Sequence, residues 1–160
     1  MARNQRDEEN QIKIRYPAVS GLIGATAGFT INSSNLGLAL CPASQTSATW
    51  VIPLTSLREG DIITSMKLSG QGESAANAYT VDMDLRETTA AAAEHSDASV
   101  QAMTQVAKTA DYLIDEETAI ATHHTITAGK QCYALITITT AASTDVALGY
   151  LELTIKRLVE

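Results

Sequence analysis

Along most of the chain, apolar side chains recur at every second position. Tyr79, Val81, Met83 and Leu85 alternate with Thr80, Asp82, Asp84 and Arg86, the pattern of a strand with one face covered. Ile62, Thr64, Met66 and Leu68 alternate less cleanly with Ile63, Ser65, Lys67 and Ser69. That run lies between two turn signals, Arg58-Glu59-Gly60-Asp61 and Gly70-Gln71-Gly72. Further strands are expected over 12–16, 28–40, 48–54, 118–127, 131–140 and 146–158, which are rich in Ile, Val, Thr, Tyr and Leu. The stretch 98–108 is ambiguous. Val100, Met103 and Val106 have helical spacing, so a loop with a short helix competes there with an edge strand. Residues 1–11 are polar and show no period. Short strands with regular turns predict an all-β chain, an antiparallel β-sandwich or jelly-roll-like single domain over 16–160, with an extended N-terminal arm over 1–15.

Charge changes this picture more than composition does. The chain has 160 residues, 45% of them apolar, enough to bury one core without staples. Its net charge of −7 excludes nucleic acid as the main partner, because binding phosphates takes clustered Lys and Arg. Between Arg15 and Arg58 there is no charged residue, and from Thr118 to Leu151 only Lys130 and Asp145 carry charge. Charge depletion is the compositional mark of a protein–protein interface. The two stretches 16–57 and 118–151 are therefore expected to pack against each other and against neighbouring subunits, with a Thr-rich sheet lying in water as the alternative. The apolar window Ala18 to Phe29 is short and broken by Gly21, Gly24 and Gly28, too short to span a membrane. Without an apolar stretch behind its first basic residues, the chain is expected to be made as a soluble cytosolic protein.

The candidate chemistry is sparse. His123 and His124 are adjacent, and strand neighbours point to opposite faces, so the two cannot share a metal. His95 is distant, and no Cys or His pair has zinc-ligand spacing. Asp82 and Asp84 share a strand face, while Asp111, Asp115, Glu116 and Glu117 read as an acidic loop without a calcium-loop pattern. No Gly-x-Ser-x-Gly elbow or phosphate loop occurs. No catalytic, cofactor or metal site is expected, and the chain is read as a non-enzyme. Cys41 and Cys132 lie in apolar runs and suit two buried thiols, with one bridge between them as the alternative. Trp50 reads as a core anchor.

The order of elements resembles a known group. Trp50-Val-Ile-Pro-Leu-Thr-Ser-Leu-Arg-Glu-Gly-Asp-Ile-Ile-Thr-Ser-Met-Lys-Leu is followed by Tyr79-Thr-Val-Asp-Met-Asp-Leu-Arg. Gly129-Lys-Gln-Cys-Tyr-Ala-Leu-Ile-Thr-Ile-Thr and Gly149-Tyr-Leu-Glu-Leu-Thr-Ile come later. Strand order and turn placement over 48–158 are similar to those of small β-sandwich structural proteins of tailed bacteriophages, including capsid decoration (cement) proteins and tail-fibre domains. The resemblance implies a virion structural protein on the capsid surface, synthesised in the host cytoplasm. It would be a homotrimer whose partners are itself and the major capsid protein. It also implies an arm reaching onto neighbours, and Arg3, Arg6, Ile12, Ile14 and Tyr16 are its candidate contact residues, the apolar three able to add a strand to another chain. The alternative is a tail-fibre or receptor- or glycan-binding β-sandwich module. Such a module needs an exposed aromatic residue or a pocket lined by Asn and Asp, for which Tyr79, Tyr112 and Tyr133 are candidates.

Overall fold

The computed structural model describes residues 11–23, 29–31, 37–74, 77–90 and 95–157. Among them lie twelve strands and one short 3-10 turn, Ala18–Ser20. The strands are β1 (Gln11–Pro17), β2 (Leu22–Ile23), β3 (Thr30–Ile31), β4 (Ala39–Cys41), β5 (Ala48–Pro53) and β6 (Ile62–Ser74). They continue as β7 (Tyr79–Ala90), β8 (His95–Ala102), β9 (Val106–Lys108), β10 (Tyr112–Thr125), β11 (Lys130–Thr140) and β12 (Thr144–Lys156). Two six-stranded sheets result. The first runs β10-β6-β12-β4-β3, with β1 also paired to β12, and the second runs β2-β5-β11-β7-β8, with β9 also paired to β7. The two close on one core, as the alternation predicts.

Alternation sets which side chains enter that core. Tyr79, Val81, Met83 and Leu85 are buried, while Thr80, Asp82, Asp84 and Arg86 are half-buried on the outer face. The imperfect period of β6 has a local cause. Its pairing to β12 shifts register between Ile63 and Ser65, so Ile63, Met66 and Leu68 all point inward. Apolar residues on both faces of β11 have a second cause. The strand is central, hydrogen-bonded to β5 on one side and β7 on the other, and Tyr133, Leu135 and Thr137 on its outer face are half-covered within the chain itself.

Several expectations need correction. The ambiguous 98–108 stretch takes the edge-strand alternative and holds no helix: β8 and β9 lie end to end along β7, with Met103 buried between them and Val106 buried at the start of β9. Asp115, Glu116 and Glu117 lie on the edge strand β10 and not in a loop. Charges belong there, since they keep an open edge from pairing with other chains. Residues 11–15, placed in the arm by sequence, form most of β1 and pair with β12 of the same chain. Arg3 and Arg6 lie outside the described residues. The thiols of Cys41 and Cys132, by contrast, are both free and buried, as their apolar runs suggest.

Two buried carboxylates tie the ends of the chain to the sandwich. Glu152 on β12 accepts from Lys13 Nζ at 2.8 Å and Arg15 Nε at 2.6 Å on β1. Asp61 accepts from both Arg157 Nε and Nη2, at 2.7 and 2.6 Å, and from the backbone N–H of Arg58 at 2.8 Å. The bonds from Lys13 and Arg15 hold Glu152 below its ordinary pKa. Burial pushes Asp61 the other way, but the bonds from Arg157 and Arg58 outweigh it and its pKa is also lowered. Carboxyls depressed in the folded state stabilise it above their unfolded value and lose that contribution as pH falls through the folded value. Thermal unfolding midpoints are therefore expected to be flat near neutrality and to fall below about pH 4. In Asp61→Asn that acid fall is expected to be shallower. An unchanged acid slope in Asp61→Asn would show that the carboxylate contributes nothing.

Candidate functional site

A bulge in β12 shapes an apolar groove on the outer face of the first sheet. The β12–β6 register shifts between Leu148 and Tyr150, so that Leu148 pairs with Gly70 and Tyr150 with Ser69. Leu148 and Leu151 are both fully buried, and the extra residue, Gly149, turns Tyr150 onto the outer face. There Tyr150 walls a shallow groove of about 430 Å³, shared with Gly37, Leu38, Ser69, Gly70, Gln71, Leu113 and Gly149. Leu113, from the edge strand β10, is 70% exposed, which makes it an apolar group held in water without a partner from the core.

Glycine makes the floor. A Cβ on Gly70 would stand 2.5 Å from the carbonyl oxygen of Ala147, and one on Gly149 would stand 3.3 Å from that of Ser69. Backbone atoms cannot yield as a flexible side chain can, so Gly70→Ala is expected to cost about 1–3 kcal/mol and to push β6 away from β12. Chemical denaturation of the variant measures this. A midpoint equal to that of the parent protein would mean that the two strands are not so closely apposed.

The charges beside the groove are committed. Arg15 binds Glu152 and lies over the Tyr150 ring, 4.8 Å from its centroid. Lys67 pairs with Asp115 at 2.7 Å. What remains toward the trough is apolar surface with a hydroxyl, Ser69, and an amide, Gln71, whose Nε2 donates to Glu73 at 3.3 Å. Apolar walls with a few polar groups are the ordinary lining of a ligand site.

The residues singled out by sequence are distributed differently. Tyr79 is buried, its hydroxyl donating to the Ala110 carbonyl, and so offers no exposed platform. Tyr112 donates to Glu116 and its ring lies under Lys108 Nζ. Tyr133 donates to Asp97 and accepts from Arg86. That contact belongs to a closed network in which Arg86 also binds Asp84, and Asp84 accepts from Ser99. Asp82 accepts from Gln105. The strand-face carboxylates are therefore occupied by protein donors. Of the candidate arm residues, Tyr16 is buried, Ile14 half-buried and Ile12 37% exposed, all on β1. Tyr150, Leu113 and Gln71 are not among the candidate site residues read from the sequence. The signal that points to them is a glycine inside a strand, which marks a bulge.

A second constellation lies between the sheets. Glu87 on β7 and Cys132 on β11 face each other in register, both buried. His124 reaches them from β10 of the other sheet, its Nε2 2.8 Å from Glu87 Oε2 and 3.9 Å from Cys132 Sγ. Lys130 Nζ also contacts Glu87. Burial first, and then the Glu87 carboxylate, push the Cys132 thiol up to about 11 against the opposing pull of Lys130. No other group of three or more possible metal ligands converges in this way among the described residues.

No known protein family matches the sequence, and neither does any curated protein. Solved structures do match the fold. The CBM36-1 domain of a multidomain xylanase from the hindgut metagenome of Trinervitermes trinervoides aligns over 93% of this chain and 100% of its own, at 12% identity and a TM-score of 0.54. The CBM22-2 xylan-binding domain of Paenibacillus barcinonensis Xyn10C aligns over 91% of this chain and 99% of its own, at 10% identity and a TM-score of 0.50. A xylan-binding module, CBM15, covers 93% and 99% at 10% identity and a TM-score of 0.50. The chain is thus an antiparallel β-sandwich of the jelly-roll type found in those modules.

Proposed function

We propose that this protein is a non-catalytic carbohydrate-binding module that takes a neutral polysaccharide chain of the xylan kind along the groove beside Tyr150. The observation that carries the reading is the groove itself: an aromatic ring and an exposed leucine over a glycine floor, rimmed by a hydroxyl and an amide. Sugar rings present C–H faces, which pack on aromatic and aliphatic surface, and hydroxyl edges, which bond to groups such as Ser69 and Gln71. The net charge of −7 and the pairing of Arg15 and Lys67 favour an uncharged chain over an acidic one. That the modules of like fold include two called xylan-binding supports the same class of ligand.

Electrophoresis through gels containing soluble xylan tests the reading. Xylan is expected to retard the parent protein, and Tyr150→Ala is expected to weaken binding roughly tenfold, the upper end of a single aromatic contact. Retardation unaffected by Tyr150→Ala would remove the groove from the account.

The second reading is a homotrimeric virion decoration subunit that binds a major capsid protein, and the neutral stretches 16–57 and 118–151 are what favour it. Much of that neutrality has a source inside one chain, since β5 and β11 are interior strands of their sheet. Light scattering separates the readings, because a solution monomer is incompatible with the trimer.

A further inference from the structure

We propose that Glu87, His124 and Cys132 form a site for a zinc-class divalent ion, with one ligand atom from each of three strands, at the edge where the two sheets meet. The three ligand atoms already lie within 4.8 Å of one another. A tetrahedral zinc ion, with bonds of about 2.0 Å to nitrogen and oxygen and 2.3 Å to sulfur, holds its ligands roughly 3.3–3.7 Å apart. The observed separations of 2.8 Å between His124 Nε2 and Glu87 Oε2 and 3.9 Å between His124 Nε2 and Cys132 Sγ bracket that range. Small side-chain rotations would therefore complete the site. A mixed sulfur, nitrogen and oxygen set suits zinc, whereas calcium and magnesium take oxygen alone.

The surroundings fit an ion that comes and goes. Glu87 has a side chain only 9% exposed, and an ammonium group, Lys130 Nζ, sits against it. The Lys130 side chain is 34% exposed, so it can swing into water and let a cation take its place beside the carboxylate. On binding, the Cys132 thiol gives its proton to solvent, and His124 carries its own on Nδ1 so that Nε2 is free to ligate. Cys132 and Lys130 also line a cleft of about 380 Å³ with Pro53, Leu54, Ile126 and Gln131. That cleft supplies both a way in and room for a fourth ligand such as water.

The ion would join the sheets, since His124 belongs to the first and Glu87 and Cys132 to the second. It would bind the folded chain and not the unfolded one, and so raise thermal stability. The site is independent of the polysaccharide groove. Leu113 and His124 stand at opposite ends of β10.

Cobalt as a spectroscopic probe, followed by zinc, decides the matter on the full chain freed of metal with a chelator. Cobalt is expected to produce a thiolate-to-metal charge-transfer band and the visible bands of a four-coordinate ion, both abolished when zinc displaces it. Zinc alone is expected to raise the unfolding midpoint. Cys132→Ser should lose the charge-transfer band, while Cys41→Ser, which alters the thiol on the other sheet, should keep it. Lys130→Gln should tighten binding, because it removes the ammonium that competes with the ion for Glu87. Should Cys132→Ser fail to fold, His124→Gln at its half-buried position must still weaken cobalt binding at least tenfold. No charge-transfer band in the parent protein, a band that survives Cys132→Ser, or unchanged affinity in His124→Gln would each overturn the proposal.

Discussion

Asp61→Ala is expected to destabilise the protein by about 3–5 kcal/mol, the usual cost of leaving one half of a buried ion pair without its partner. The Asp61 side chain is 1% exposed and its two oxygens are bridged by the Arg157 guanidinium. A planar, bidentate pair of this kind holds geometry as well as charge. The backbone around it depends on the same residue. The Asp61 carbonyl accepts from Ile126 N–H, and the Ile126 carbonyl accepts from Gly60 N–H, each at 2.9 Å. The turn before β6 and the residue that follows β12 thus converge on one carboxylate, while the loop between β10 and β11 is held by the backbone of the same residue. Arg157→Ala should cost less than Asp61→Ala, because the stranded carboxylate keeps its bond from Arg58. The double variant should cost clearly less than the sum of the two. Urea denaturation of the three variants measures these differences. Additive losses, or a loss under 1 kcal/mol in Asp61→Ala, would show the pair to be a surface contact in effect.

Trp50→Ala carries a penalty of similar size, about 3–5 kcal/mol, for a large aromatic side chain removed from a packed core. Trp50 is 4% exposed, and on β5 it stands between Ile23 of β2 and Ile136 of β11 in register. Its ring packs at 4.7 Å on Phe29, and its Nε1–H donates to the Ala18 carbonyl at 2.8 Å. Gly21 gives it room, since a Cβ there would fall 2.1 Å from Nε1. Two subtler variants separate these contributions. Trp50→Phe keeps an aromatic ring but removes one of the two bonds to the Ala18 carbonyl, which still accepts from Gly21 N–H at 2.9 Å, for a cost of about 0.5–1.5 kcal/mol. Gly21→Ala should be destabilising alone and less so in the presence of Trp50→Phe, because the smaller ring gives way. The chain holds one tryptophan, so its fluorescence reports on this corner of the sandwich in the parent protein, in Gly21→Ala and in Asp61→Ala. A Gly21→Ala variant with unchanged stability would contradict the packing described.

The strands were legible wherever one face meets the core and the other meets water. β7 shows this best, because its apolar and polar positions never fall out of step. β6 and β12 were blurred by bulges, which shift the phase of alternation without changing the residues on offer. The edge strands β8 and β9 were ambiguous in sequence, and the start of β10 reads as a loop, for a different reason. An edge strand has little core to cover, so its sequence carries charge and small side chains and resembles a loop. The groove was illegible because it depends on one extra residue in β12 that turns Tyr150 outward. The Glu87, His124 and Cys132 cluster was equally hidden. Glu87 and Cys132 come together only through the β7–β11 register, and His124 meets them only when the second sheet closes over the first.

The most direct test of the central claim follows backbone amide shifts of the protein during titration with an uncharged xylan oligosaccharide. The account predicts saturable shifts concentrated at Ser69, Gly70, Gln71, Leu113 and Tyr150, with the outer face of β7 and β11 unmoved. Shifts centred on Arg86 and Tyr133, or none at saturating sugar, would contradict it.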